Sequence, residues 1–243
     1  TSSFYVGDAA GRIKTPLKKK DFSCSDRMFA INCHMNFMTP EKYFMEQDDR
    51  EFIIDKTFET HFMTEDIDTT KDSMYINWDD IKKYNIVMLV GAPGTGKTTM
   101  TKRMISTFGY TDVINMDTLL TKKKCLITLR NLLQDLGNRI VIDNTNSSIK
   151  GRKEYLDIIN ELRPDEPILL LKINLDKKQA FFLNNVRCKV TKQKSLPNVA
   201  IHLYFKLYEE PKIDEGFTKI IVIPFIPTFK GIPNEKKLFY QYF

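Results

Sequence analysis

The chain has 243 residues, of which 42% are hydrophobic, and this length accommodates one large domain or one domain with an additional fragment. Its net charge of +6 fits an anionic partner, and it fits a solvated basic surface equally well. The four cysteines form no pair at metal-binding spacing and suit a reducing compartment. No apolar run is long enough to predict a membrane span, so we expect no membrane partner.

The N-terminal part predicts a small amount of regular structure. Residues 4–6 favour a strand that ends in a turn, and residues 26–37 favour a helix that gives way to a strand. Residues 46–75 carry many Asp and Glu side chains with scattered aromatic residues. This composition predicts a linker that leads to a docked segment.

From residue 86 onward, apolar runs alternate with helical patterns. Strands are predicted at residues 86–90, 113–115, 139–142, 168–173 and 220–223. Helices are predicted at residues 99–108, 117–136, 152–162 and 177–188. Gly137 is expected to end the second of these helices. The alternation predicts an α/β fold, with a mainly parallel sheet and helices on both faces.

One loop is the most specific motif in the chain. Residues 91–98 match the pattern G-x-x-x-x-G-K-S/T, between an apolar strand and a helix. The expected ATP-binding residues are Gly91, Ala92, Pro93, Gly94, Thr95, Gly96, Lys97, Thr98 and Thr99. Backbone N–H groups in such a loop converge on phosphate oxygens at a helix N-terminus. Lys97 is expected to reach the β- and γ-phosphates, and the Thr98 hydroxyl to ligate Mg²⁺. A chance match in a Gly-rich turn is the disfavoured alternative.

Two acidic residues follow predicted strands, where parallel sheets bind their ligands. Asp117 is a candidate to accept the proton of an attacking hydroxyl, but its spacing fits a helix N-cap slightly better. Asp143 begins the run Asp143-Asn144-Thr145-Asn146. It fits a metal or substrate contact better than the alternative of an Asx-turn that closes the strand.

Cationic side chains form several groups. Arg187 and the lysines at 189, 192 and 194 suit a mobile lid over a nucleotide and suit a solvated charge run equally. Basic runs at 18–20, 122–124 and 150–153 could line an anionic groove, although each alone is more typical of a wetted surface. Within the last run, Arg152 is a candidate substrate-binding residue.

Several segments together carry a family resemblance. In the C-terminal part they are residues 91–99, 117–119 with Cys125, 142–146, 184–185, 215–217 and 223–225. Near the N-terminus they are residues 5–12 and 18–27. On these segments the chain resembles the bifunctional polynucleotide kinase 3′-phosphatases of animal DNA repair.

The resemblance implies a domain organisation and an activity. It implies the C-terminal remnant of a haloacid-dehalogenase-like phosphatase domain (a hydrolase) at residues 1–46, a linker and docking segment at 47–80, and a P-loop polynucleotide kinase domain at 81–243. The implied reaction is ATP-dependent phosphorylation of 5′-hydroxyl ends of DNA or RNA in strand-break repair, with ATP and Mg²⁺ as cofactors. A small-molecule P-loop kinase and a non-catalytic nucleic-acid-binding relative are the alternatives.

The resemblance also assigns residues. Asp117 would be the general base, with Lys97 and Arg187 as the catalytic cations. Asp143 and Asn144 would lie at the substrate or metal edge of the site. Asp8 would correspond to a Mg²⁺ ligand of the phosphatase. The implied setting is the nucleus, with mitochondria or cytoplasm as alternatives, and we expect a monomer that meets nucleic acid and DNA-repair proteins.

Three features depart from the family pattern. Met116 stands where the family has an arginine, and the lid segment reads Asn184-Asn185-Val186-Arg187-Cys188, which leaves the register of the lid arginine open. The phosphatase nucleophile motif Asp-x-Asp-Gly-Thr is absent from the sequence. Because that aspartate forms the phospho-enzyme intermediate, we expect no 3′-phosphatase activity from these 243 residues.

Overall fold

The computed structural model describes residues 3–54, 76–192, 194–225 and 239. The chain divides into two compact units. The first unit comprises Thr1–Glu65 with Lys230–Phe243, and the second comprises Asp66–Phe229. No helix in the described ranges is both long and apolar enough to cross a bilayer.

The first unit contains a small parallel sheet. Strand β1 (Phe4–Val6) pairs with β2 (Asn36–Met38), and helix α1 (Ser25–Asn32) lies between them in the chain. The sequence predicted these elements but not their pairing. Helix α2 (Pro40–Met45) follows, with Thr39 as its N-cap. Arg12 and Phe52 form an antiparallel bridge, so the start of the predicted linker pairs with this unit. The rest of that segment, residues 55–75, lies outside the described residues.

The second unit is built on a five-stranded parallel sheet. Its strands are β3 (Ile86–Val90), β4 (Asp112–Ile114), β5 (Ile140–Asp143), β6 (Ile168–Ile173) and β7 (Lys219–Ile223). Their spatial order is β4-β5-β3-β6-β7, and every neighbouring pair is parallel. The strand that precedes the phosphate loop is therefore central, and the strand that ends in Asp143 lies beside it.

Helices cover both faces of this sheet. They are α3 (Trp78–Ile81), α4 (Lys97–Phe108), α5 (Met116–Leu119), α6 (Lys122–Leu132), α7 (Ile149–Leu162), α8 (Lys177–Thr191) and α9 (Asn198–Leu207). Alternate residues of β3 enter different apolar cores: Met88 packs in one and Leu89 in the other. Burial on both faces explains why the sequence of β3 is a continuous apolar run. The parallel sheet with helices on both faces confirms the predicted α/β class.

The helix predicted over residues 117–136 is wrong in its continuity and its end. It is broken at Leu120, whose φ is 71°, and the hydroxyl of Thr121 accepts a hydrogen bond from Lys124 N to start α6. Helix α6 stops at Leu132, so Gly137 does not cap it. The Gly137 N–H instead donates to Asp135 Oδ1 in the following turn.

The region predicted to be a lid is largely helical. Helix α8 continues to Thr191, and α9 follows six residues after the C-cap Lys192. The sequence prediction did not include α9. Its apolar positions lie just after Pro197, which is a common point of helix initiation.

Candidate active site

The phosphate loop joins the central strand β3 to helix α4. Gly94 and Gly96 have φ values of 81° and 94°, which other residues rarely adopt. The Gly91 N–H donates to the carbonyl of Thr145, which ties the loop to the segment after β5. A Cβ at Gly96 would meet no atom within 4 Å, so the mouth of the loop is open to a ligand. The predicted position of the motif between strand and helix is therefore correct.

Lys97 lies at the start of α4 and is buried. Its Nζ donates to the carbonyls of Gly91 and Ala92, at 2.8 Å each. Burial lowers the pKa of Lys97 to about 8, while the charges of Asp143 and Asp117 act to raise it. Hydrogen bonds bring the two acidic strand ends to the loop: Gly91 N–H donates to the Thr145 carbonyl after β5, and Asn115 bonds to the backbones of Asp143 and Asp117.

The donor atoms near Lys97 suit a hard cation. The Thr98 side chain is exposed one residue further along α4, and Asp143 ends the neighbouring strand. Hydroxyl and carboxylate oxygens match Mg²⁺, which takes few protein ligands and binds phosphate oxygens as well. Among residues 3–54, 76–192 and 194–225, no group of three or more His, Cys, Asp or Glu could hold a metal alone. The residues present therefore fit a Mg²⁺ bound together with nucleotide.

Asp117 lies in the first turn of α5 and is exposed. The N-cap of this helix is Asn115, whose Oδ1 accepts from Asp117 N at 2.7 Å and from Thr118 N at 3.2 Å. The alternative that Asp117 is the N-cap is therefore wrong. Its carboxylate is not used to start the helix and is exposed to solvent.

Asn144 and Asn146 hold the backbone after β5. Asn144 Oδ1 accepts from Met116 N at 2.8 Å, and its Nδ2 donates to the Tyr155 hydroxyl at 3.0 Å. Asn146, with φ of 45°, donates to the carbonyl of Leu89 at 2.8 Å. Both ends of the Asn144 amide thus have protein partners. The contact of Asn144 with substrate stays a prediction.

Arg152 is fully buried, so we revise its predicted role. Its guanidinium forms a two-pronged ion pair with Glu215 at 2.7 and 2.8 Å. Its Nη1 donates to the carbonyls of Asn146 and Glu209. With no exposed surface, Arg152 has no atom free to touch a substrate in this structure. It instead fixes the loop that follows Asp143.

Helices α8 and α9 pack against the start of the phosphate loop. Ala92 lies in an apolar cluster with Ala180, Ile201 and Tyr204. A Cβ on Gly94 would lie 3.4 Å from the Leu196 side chain, so the connection between the two helices borders the loop. This is the position that a lid would occupy.

A buried asparagine fixes that connection. Asn184 donates to Ser195 Oγ and to the Leu196 carbonyl, and its Oδ1 accepts from Leu196 N. Arg187 lies one helical turn further along α8 and is half-buried. The structure places it on a helix rather than in a loop, and its role as a catalytic cation stays a prediction.

The basic runs of the second unit meet at the starts of two helices. Lys122 Nζ donates to the Gly151 carbonyl at 2.8 Å, which joins the start of α6 to the start of α7. The neighbouring lysines are exposed: Lys123, Lys124, Lys150 and Lys153. The run at 18–20 is exposed on the first unit.

Known proteins resemble most of this chain. A putative bifunctional polynucleotide phosphatase/kinase of Acanthamoeba polyphaga mimivirus is 33% identical over an alignment that covers 93% of this chain and 56% of that protein. A bifunctional polynucleotide phosphatase/kinase of Schizosaccharomyces pombe is 32% identical over an alignment that covers 91% of this chain and 51% of that protein. The family model for polynucleotide kinase 3 phosphatase matches residues 1–44.

Over most of its length the chain is similar to bifunctional polynucleotide phosphatase/kinases. The resemblance stated from the sequence is confirmed. The chain spans about half the length of the curated relatives that it matches. Among solved structures, a fungal RNA kinase has a TM-score of 0.47 and 16% identity over 64% of this chain and 81% of its own.

Two positions singled out from the family comparison have clear locations. Met116 is 45% exposed beside Asp117, at the edge of the site. Asp8 follows β1 and is exposed, and its backbone carbonyl accepts from Arg12 Nη2. Its role as a Mg²⁺ ligand stays a prediction.

Asn115 and Tyr155 were missed from the sequence. The position of Asn115 between a predicted strand and a predicted helix could have indicated an N-cap. No local sequence pattern indicated that Tyr155 contacts Asn144.

Proposed function

We propose that the second unit transfers the γ-phosphoryl group of ATP to the 5′-hydroxyl end of DNA or RNA. The observation that carries the proposal is a phosphate loop with a buried Lys97 ammonium, tied by hydrogen bonds to the strand ends that carry Asp143 and Asp117. The relatives' names agree with a polynucleotide kinase.

The proposed mechanism divides roles among these residues. The loop amides and the Lys97 ammonium hold the phosphates, and the exposed Asp117 carboxylate accepts the proton of the acceptor hydroxyl. Thr98 and Asp143 would hold Mg²⁺, which when bound neutralises charge on the transferring group. Arg187 would add a further cation from α8. Because catalysis of phosphoryl transfer depends on positioning and charge, this small set suffices.

The acceptor is proposed to be a polymer rather than a small molecule. Four exposed lysines begin α6 and α7, and these helices follow the strands that lead to Asp117 and Asp143. Exposed ammonium groups on helices that follow the two acidic strand ends suit the phosphates of a strand that extends from its 5′ end. We further propose a monomer that acts in strand-break repair, in the nucleus, together with DNA-repair proteins.

Label transfer from γ-labelled ATP tests the proposal. The acceptors are a DNA and an RNA oligonucleotide with 5′-hydroxyl ends, with the 5′-phosphorylated oligonucleotides and a free nucleoside as controls. We expect label only on the 5′-hydroxyl oligonucleotides. Label on the nucleoside alone would favour a small-molecule kinase, and ATP-independent binding without turnover would favour a non-catalytic relative.

Two variants assign the roles. Asp117→Asn should lower transfer by at least about 100-fold while nucleotide still binds, because the base is lost and the loop is intact. Lys97→Ala should weaken nucleotide binding itself. Asp112→Asn is the matched control, because Asp112 begins β4, at the end of that strand away from the Asp117 turn. Near-normal turnover by Asp117→Asn would refute the assignment of the base.

A further inference from the structure

The hydroxyl of Tyr155 is connected to the turn that carries Asp117. Tyr155 projects from α7 into the main apolar core and is 1% exposed. Its hydroxyl oxygen accepts from Asn144 Nδ2 at 3.0 Å. The other end of that amide, Oδ1, accepts from Met116 N at 2.8 Å. A single side chain therefore links the tyrosine to the residue directly before Asp117.

The direction of each hydrogen bond is determined by its donors. The Nδ2 group of Asn144 can only donate, so the Tyr155 oxygen accepts there. Tyr155 shares its apolar core with the buried Cys125 of α6. Burial raises the pKa of Tyr155 and of Cys125, so both groups stay protonated. The tyrosine thus orients the Asn144 amide with its oxygen toward Met116.

The tyrosine ring is itself held in place. Lys122 Nζ lies 3.6 Å from the ring centroid, a distance typical of a cation–π contact. The same ammonium donates to the Gly151 carbonyl, so α6 and α7 clamp the ring. These contacts hold the Tyr155 hydroxyl in position to accept from the Asn144 amide.

We propose that Tyr155 is a positioning residue that, through Asn144, holds the Met116–Asp117 turn and so sets the position of the proposed general base. This inference rests on the proposed function for its catalytic consequence. The positioning of the Met116–Asp117 turn does not rest on that function, because the hydrogen bonds hold the turn whether or not phosphoryl transfer takes place. Packing in the apolar core involves the ring of Tyr155, whereas the link to Asn144 involves its hydroxyl, so the hydroxyl is the group to test.

Tyr155→Phe keeps the ring and removes the hydroxyl. Asn144 Nδ2 then keeps only its long contact of 3.4 Å to the Ile114 carbonyl, and the amide is free to rotate away from Met116. We expect kcat for transfer to a 5′-hydroxyl oligonucleotide to fall about tenfold, because small displacements of a catalytic group are costly. The KM for ATP should stay within about twofold of the wild type, since the phosphate loop is untouched.

Tyr110→Phe is the matched control. Tyr110 is 2% exposed, and its hydroxyl donates to the carbonyls of Ile81 and Tyr84 in the other core. Its loss removes the hydrogen bonds of another buried tyrosine hydroxyl, which contacts backbone carbonyls ahead of β3 rather than Asn144. Tm should fall in both variants, and kcat should fall only in Tyr155→Phe.

Amide hydrogen exchange at Met116, measured by NMR, is the readout that needs no activity. We expect exchange about tenfold faster in Tyr155→Phe and unchanged in Tyr110→Phe, because Asn144 Oδ1 protects this N–H. Unchanged exchange in Tyr155→Phe, or an equal loss of kcat in both variants, overturns the proposal. If the wild type transfers no label, the proposed function fails, and the Met116 exchange rate still upholds or overturns the positioning role.

Discussion

The side-chain amide of Asn115 donates to the backbone carbonyl of Asp143 across 2.8 Å. The oxygen of the same amide accepts from the N–H of Asp117 at 2.7 Å. One asparagine therefore joins the ends of strands β4 and β5 and starts the helix that carries the proposed base. The backbones that carry the two carboxylates are thus joined through one side chain.

Asn115→Ala should lower both stability and activity. Loss of the N-cap is expected to reduce the free energy of unfolding by about 1 kcal/mol, as measured by urea denaturation. Transfer should fall about tenfold, because the Asp117 turn loses its link to β5. Asn77→Ala is the control, since Asn77 caps α3 in the same way by accepting from Asp80 N. An equal loss of transfer in both variants would show that the effect is one of stability alone.

Arg152→Met should destabilise the chain by about 3–5 kcal/mol, because it leaves Glu215 buried without its partner. Arg130→Met provides the comparison: Arg130 makes an equally well-aligned pair with Glu161, but at an exposed site. Its effect on unfolding should be much smaller, since exposed pairs are screened by water. Retained stability with a raised KM for the oligonucleotide in Arg152→Met would restore the direct substrate contact predicted from the sequence.

Nucleotide binding should take up a proton above pH 7.5. In the free protein the pKa of Lys97 is lowered to about 8, so its neutral fraction grows as the pH rises through that value. Bound phosphates favour the charged form, and binding must then add the missing proton. Titration calorimetry in buffers of different ionisation enthalpy should show uptake rising toward about one proton between pH 7.5 and 9. Absence of uptake at pH 9 would contradict the assignment of Lys97.

Asn184→Ala should loosen the connection between α8 and α9. It removes the three hydrogen bonds to Ser195 and Leu196, and Leu196 borders Gly94 of the phosphate loop. We expect trypsin to cut after Lys192 or Lys194 about tenfold faster, because cleavage reports local opening. The KM for ATP should rise. Asn185→Ala is the control at the adjacent exposed position. Equal cleavage rates in the two variants would show that the Asn184 hydrogen bonds do not hold the connection between α8 and α9.

Local patterns were sufficient to predict the sheet and the phosphate loop. The apolar runs at 86–90 and 168–173 coincide with β3 and β6, because a strand buried on both faces is mainly apolar; Lys172 is the polar position of β6. The glycines of the loop predict its backbone conformation directly, since their positive φ values exclude most other residues.

Contacts between distant residues could not be predicted in the same way. Arg152 looks like part of a basic surface run until Glu215 is brought against it. Asp117 and Asn115 are both favoured N-cap residues, and only the hydrogen bonds to Asp117 N and Thr118 N distinguish them. The break at Leu120 has no local signal, because an apolar residue rarely adopts positive φ and no Gly or Pro stands there.

The ion pair between Arg152 and Glu215 spans 63 residues of chain. During synthesis on a ribosome, the phosphate loop and both site carboxylates emerge well before Glu215 does. The loop after Asp143 can reach its final form only when that glutamate and the carbonyl of Glu209 have been delivered. Completion of the candidate site is thereby coupled to the arrival of the residues just ahead of β7, and a nascent chain cut short before Glu215 would carry its phosphate loop without a finished site.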